Sequence, residues 1–93
     1  MSGSEQYRAI IITPRFLSDL ISDRFSAADR RRFLQALARL DADDRHPSLR
    51  VHPLRGDLEG QWSASASDQL RITFVRLEDG RKLMLTCSRH YKR

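Results

Sequence analysis

Between Tyr7 and Thr13 the chain is mostly apolar and β-branched, and it then meets Pro14. That is the pattern of a strand closed by a proline in the first turn of a helix. Phe16, Leu17, Leu20, Ile21 and Phe25 follow at helical spacing, with Ser18, Asp19 and Arg24 on the other side, so the spacing predicts a first amphipathic helix. Ser26 and Asp29 form a capping-box pattern, with Asp in place of the usual Glu. They open a second helix, expected to run to about Asp41 and to turn Phe33, Leu34, Leu37 and Leu40 to a core. After the turn-rich Asp41-Ala42-Asp43-Asp44 the period changes to two. A strand is predicted over Leu49 to Leu54, at an edge or irregular because Pro53 cannot donate to a ladder. The Gly56 to Gly60 stretch reads as a loop. Trp62, Ala64 and Ala66 alternate with serines, Leu70, Ile72 and Phe74 alternate with Arg71, Thr73 and Val75, and Glu78-Asp79-Gly80 turns the chain into Leu83 to Cys87. The predicted order β-α-α-β-β-β-β defines an α+β fold with two helices on one face of a mainly antiparallel sheet.

Ninety-three residues suit one domain. It is expected over residues 7–93, behind a flexible Ser/Gly-rich segment of residues 1–6. No apolar run approaches the ~20 residues of a membrane span, and the start lacks a basic, then apolar signal pattern. A cytoplasmic protein without membrane contact is expected. The single Cys87 excludes an internal disulfide and a thiolate zinc site, and its place in a strand pattern makes it a core residue. His46 and His52, each followed by proline, lack helical i, i+4 ligand spacing. Neither a metal nor another cofactor is expected.

Charge adds a direction to this picture. Residues 1–44 hold seven basic and seven acidic side chains, whereas residues 45–93 hold ten and five, so the net +5 belongs to the second half. Fifteen of the 17 basic residues are arginine, the side chain suited to bidentate phosphate contact. An anionic partner for the second half is implied. The Arg30-Arg31-Arg32 run lies early on the second helix and reads mainly as a solvated face.

If Ile72 and Phe74 face the helices, alternation sends Arg71 and Thr73 to the open face of the sheet. Arg50, His52, Arg89, His90 and Tyr91 are expected to reach the same basin. Such a set of imidazoles, guanidiniums and a phenol has what RNA cleavage without a metal needs. One group takes the 2′-hydroxyl proton, another protonates the departing 5′-oxygen, and fixed cations neutralise the phosphorane. Histidine, with an ordinary pKa near 6.5, suits either proton transfer.

From Arg45 to Tyr91 the sequence resembles the RelE/ParE toxin superfamily, most closely the YoeB and YafQ type messenger-RNA endoribonucleases of type II toxin-antitoxin systems. The resemblance rests on His46-Pro47, on Leu49-Arg50-Val51-His52-Pro53-Leu54-Arg55-Gly56 with Leu58 and Gly60, on Trp62-Ser63, on Leu70-Arg71-Ile72-Thr73-Phe74 and on Arg89-His90-Tyr91. The first half matches in element order alone. The resemblance implies a ribosome-dependent ribonuclease that acts on messenger RNA and is neutralised by a cognate antitoxin. Arg71 would bind the scissile phosphate, His52 would act as general base, His90 as general acid, and Tyr91 would stack on or hydrogen-bond the substrate. The two histidine roles can also be exchanged. Arg50, Arg55 and Arg89 would position the RNA backbone, and His46 reads as a loop residue. Lys92 and Arg93 beyond the terminal aromatic, and Asp57 and Glu59 in the loop, depart from the pattern. Two other readings keep the fold: a ParE-like gyrase-directed toxin and a non-catalytic RNA-binding domain. Whether the chain forms a homodimer is left open.

Overall fold

The computed structural model describes residues 9–90. The expected loose segment 1–6 and the aromatic Tyr91 lie outside the described residues. The elements are β1 (Ile10–Ile12), α1 (Pro14–Ile21), α2 (Ala27–Ala42), β2 (His52–Pro53), β3 (Trp62–Ser65), β4 (Leu70–Arg76) and β5 (Lys82–Arg89). They form one five-stranded sheet in the order β1-β5-β4-β3-β2. β1 runs parallel to β5 and every other pair is antiparallel. Helix α1 lies along β5, and α2 lies across β1 and β4. Among the described residues no helix is long and apolar enough to cross a membrane.

Each helix starts as its sequence dictates. Thr13 caps α1: its hydroxyl oxygen accepts the Phe16 N–H at 3.1 Å and donates to the Met84 carbonyl at 2.8 Å, with Pro14 in the first turn. At α2 the capping box is complete, because Ser26 accepts the Asp29 N–H and Asp29 accepts the Ser26 N–H, both at 3.1 Å. Two orphan donors are thereby satisfied.

The core gathers Ile10, Phe16, Leu20, Phe25, Phe33, Leu37, Leu40, Leu49, Ile72, Phe74 and Met84 around the helix-side face. Three residues expected there are not in it. Leu17, Ile21 and Leu34 are 50%, 68% and 52% exposed. In α1 the i, i+4 pair Phe16 and Leu20 takes the buried line, and Leu17 and Ile21, one step of ~100° further round, miss the sheet. The same step separates Leu34 from the buried Phe33. Helix α1 also stops at Ile21, so Phe25 enters the core from the interhelical turn, edge-on to Phe33 with ring centroids 4.9 Å apart.

The expected strand over Leu49 to Leu54 shrinks to two residues. Pro47 starts a 3-10 turn through Leu49, His46 caps it by accepting the Ser48 N–H on Nδ1, and Arg50 takes a left-handed conformation at φ 48°. Only His52 and Pro53 then pair, at the sheet edge where a proline is tolerated. The turn between β4 and β5 follows the expectation, with Gly80 at φ 91° and its N–H bonded to the Leu77 carbonyl.

One irregularity shapes the sheet. Thr73 pairs with Thr86 but Phe74 pairs with Met84, so Leu85 is an extra residue in β5. The bulge turns Met84 and Cys87, three residues apart, both inward, and both are buried. Leu85 and Thr86 face out together.

Candidate active site on the open sheet face

The register builds the open face in rows. Cα partners in neighbouring strands point to the same side, so His52, Ser63, Thr73 and Thr86 form one row across β2, β3, β4 and β5. Ser65, Arg71 and Ser88 form the next. Past the end of β5, the His90 N–H bonds the Gln69 carbonyl at 2.6 Å and opens a third row. Successive rows lie about 7 Å apart along a strand. Arg71 holds the middle row, with His52 in the row on one side and His90 in the row on the other. The histidines also flank it laterally, His52 on β2 and His90 at the end of β5. The floor between them is made of small hydroxyl residues, and Thr73 and Thr86 bond each other across the strands.

His52 is exposed, and its Nδ1 lies 2.9 Å from the Arg50 carbonyl oxygen. A carbonyl only accepts, so Nδ1 carries the proton and the neutral ring presents a bare Nε2. The left-handed turn at Arg50 aims that carbonyl at the ring. Arg71 braces itself with one guanidinium nitrogen: Nη1 donates to the Ser67 and Leu70 carbonyls at 2.8 and 3.1 Å. Among the described residues no carboxylate pairs with it. Its remaining N–H groups are available to an anion.

The other expected contacts are distributed differently. Arg89 does not join the basin. It pairs with Leu70, whose side chain is buried on the helix side, and its guanidinium bonds Asp29 of α2 at 2.5 Å and Gln69 at 3.1 Å. Alternation is the reason: Ser88 pairs with Arg71 on the open face, so Arg89, the next residue along the strand, is turned to the other side. Arg50 borders hollows at the β3 edge with Arg39 and Ser65 on one side and His46 and Arg76 on the other. Arg55 lies at the β2 end of the loop beside Glu59. Trp62 packs against the core with the Arg76 guanidinium 4.4 Å above its ring.

Two residues reach the open face unannounced by the sequence. A cavity of about 480 Å³ there is lined by Thr73, Thr86 and Ser88 from the sheet, and by Arg15 and Gln61 from its margins. Arg15 arrives because β1 ends at Ile12, and α1 then runs beside the uncovered edge of β5, where Asp19 accepts the Cys87 N–H at 3.1 Å. Only the parallel β1–β5 pairing brings it there, and no local motif encodes that pairing.

Cys87 stands apart from this chemistry. Burial, with the Asp19 charge in support, pushes its thiol up to about 12. Asp29 is shifted the other way, its carboxyl held below the usual range by the Ser26 N–H and the Arg89 charge. Among the described residues no three His, Cys, Asp or Glu side chains gather where they could hold a metal ion.

The same arrangement of helices and sheet is found in toxins of bacterial toxin-antitoxin pairs. A YoeB/ParE toxin from Agrobacterium tumefaciens superposes with a TM-score of 0.70 at 20% identity, over 88% of this chain and 98% of the other. The toxin of the DinJ-YafQ complex of Escherichia coli gives 0.64 at 19% identity, over 87% and 90%. The YoeB-YefM complex from Staphylococcus aureus gives 0.61 at 18% identity, over 88% and 95%. No family model and no curated protein matches the chain by sequence. The fold is that of the RelE/ParE-like toxins, as the residues from Arg45 to Tyr91 led one to expect, and YoeB and YafQ are the forms it is similar to.

Proposed function

We propose that the chain is the toxin of a type II toxin-antitoxin pair and a ribosome-dependent endoribonuclease that cuts messenger RNA by metal-free acid-base chemistry. The observation that carries the reading is Arg71 in the middle row with one histidine on each flank. In-line displacement at phosphorus needs its base and its acid on opposite sides of the phosphate, and a cation at the centre serves the charge that builds there.

His52 Nε2 takes the 2′-hydroxyl proton, and the 2′-oxygen attacks phosphorus. The bond to the 5′-oxygen breaks, and protonated His90 supplies that oxygen with its proton. The products are a 2′,3′-cyclic phosphate and a 5′-hydroxyl. The bond from His52 Nδ1 to the Arg50 carbonyl favours His52 as base, since it leaves Nε2 unprotonated in the neutral ring. Tyr91 is proposed to stack on or hydrogen-bond the substrate, and Arg50 and Arg55 to guide the backbone towards the basin. An antitoxin would cover this face. The complexes of YoeB and YafQ with their partners, on the same fold, support that role.

The test is cleavage of a defined messenger RNA on programmed 70S ribosomes in EDTA, with wild type, His90→Ala, His52→Ala and Arg71→Ala. Wild type is expected to leave cyclic-phosphate ends, and each variant to lose about 10²- to 10⁴-fold in rate while melting normally. Full activity in His90→Ala and Arg71→Ala would sink the mechanism. DNA-damage signalling with intact messenger RNA would favour the gyrase-directed reading, and salt-sensitive RNA binding without turnover the binding domain.

A further inference from the structure

We infer that the cavity beside Arg71 is a nucleobase subsite, in which Arg15 and Gln61 hold and read the base next to the scissile phosphate. This rests on the ribonuclease reading and supplies it with a specificity determinant.

The cavity borders the catalytic rows directly. Ser88, one of its lining residues, is the cross-strand partner of Arg71, and Thr73 is in the row of His52. A nucleotide whose phosphate sits on Arg71 therefore has this hollow within one row of it. At about 480 Å³ the volume is in the range of small-molecule sites, roughly 300 to 1,000 Å³. The lining is amphipathic in the way such sites are. Leu58, 46% exposed, and Leu85, turned outward by the bulge, give apolar walls.

The polar groups divide into spent and unspent. The Thr73 and Thr86 hydroxyls bond each other. Arg15, Gln61 and Ser88 have no side-chain hydrogen bond or ion pair among the described residues. A free guanidinium beside leucines suits the face of a base, because arginine stacks as well as it pairs. A carboxamide offers one donor and one acceptor group, which a phosphate does not need and a base edge does. Plain anion binding would require neither the leucines nor Gln61.

The test follows amide shifts of the full chain during titration with the four nucleoside 3′-monophosphates and with inorganic phosphate. The ribosome cleavage assay is run beside it with randomised codons. Expected are shifts at Gln61, Thr73, Leu85 and Ser88, a preference among the four bases, and affinity about tenfold weaker in Arg15→Ala, the scale of one stacked base. In Arg15→Ala and Gln61→Ala the base preference at the cut should flatten. Equal binding of all four nucleotides and of phosphate would overturn the subsite and leave a simple anion patch. Cleavage by wild type with unchanged preference in both variants would overturn the subsite while the ribonuclease stood. Base-selective binding at the cavity without any cleavage would uphold the subsite and remove the ribonuclease.

Discussion

Arg71 serves two masters with one side chain. Its Nη1 is committed to the Ser67 and Leu70 carbonyls, and the rest of the fork has no carboxylate partner among the described residues. Lysine has a single nitrogen and no planar fork, so an ammonium drawn to the turn carbonyls meets a phosphate without the paired donors that a guanidinium keeps free. Arg71→Lys is therefore expected to cut single-turnover cleavage by about 10²-fold, the scale of one lost oxyanion donor, without a change in melting temperature. Cleavage within twofold of wild type would show that charge alone suffices. Cys87 makes the opposite case, a reactive residue type placed where it cannot react. With its thiol pushed up to about 12 and 2% exposed, almost no thiolate exists near neutrality. Iodoacetamide at pH 7.5 should leave the native chain unmodified and label it fully in guanidinium; rapid labelling of the native state would contradict the burial. The open-face place of Arg71 follows from alternation in a strand, a local rule, and was legible in the sequence for that reason. Strict alternation from Met84 would have turned Cys87 outward; the bulge at Leu85 brings both inward, and alternation from Cys87 onward then puts Arg89 on the helix side.

The N-terminus of α2 and the C-terminal end of β5 are joined through one carboxylate. Asp29 closes the capping box with Ser26 and receives Arg89, the residue immediately before His90. Its pKa is depressed, foremost by the Ser26 N–H and then by Arg89. Folded Asp29 thus binds its proton less readily than the unfolded chain, where aspartate titrates near 3.9. Its contribution is present above that value and is lost as pH falls through the lower folded pKa. Asp29→Asn is expected to lower stability by about 0.3 to 1 kcal/mol at pH 6, the scale of a carboxylate charge at a helix N-terminus, and to differ less from wild type at pH 3. Urea midpoints at the two pH values measure this; an equal difference at both would remove the ionic part. The Ser26 and Asp29 pattern announced the cap, because a capping box is complete within four residues. The bulge at Leu85 and the left-handed Arg50 were not announced. The bulge sits in the pairing of β5 with β4, and Arg50 ends the 3-10 turn over Pro47–Leu49, so neither is marked by a motif of its own.

For the whole molecule, a charge count overstates what an anion can reach. The sequence places the surplus correctly in the second half, yet which arginines are free depends on contacts between distant segments. Arg89 is spent on Asp29, 60 residues away, and Arg76 on Asp44, 32 residues away. Lys82 is buried with Asp44 at 3.8 Å. Arg15, from the neutral half, is by contrast free at the margin of the open face. RNA binding should report this difference through its salt dependence. Each phosphate neutralised on a single strand adds about −0.7 to the slope of log K against log salt. Replacing Arg71 by Gln should make the slope shallower by about that amount, and replacing Arg89 by Gln should leave it unchanged. Fluorescence anisotropy of a labelled single-stranded RNA between 50 and 300 mM salt separates the two. A loss of slope in Arg89→Gln equal to that in Arg71→Gln would mean that the Asp29 pair opens to release Arg89 to the RNA. Asp29 would then keep its capping box with Ser26 but lose its tie to the end of β5, and amide exchange at His90, whose N–H bonds the Gln69 carbonyl, would accelerate on RNA binding. Slow exchange there, with a loss of slope confined to Arg71→Gln, is the outcome expected of a guanidinium whose task is to fix the strand end that carries His90.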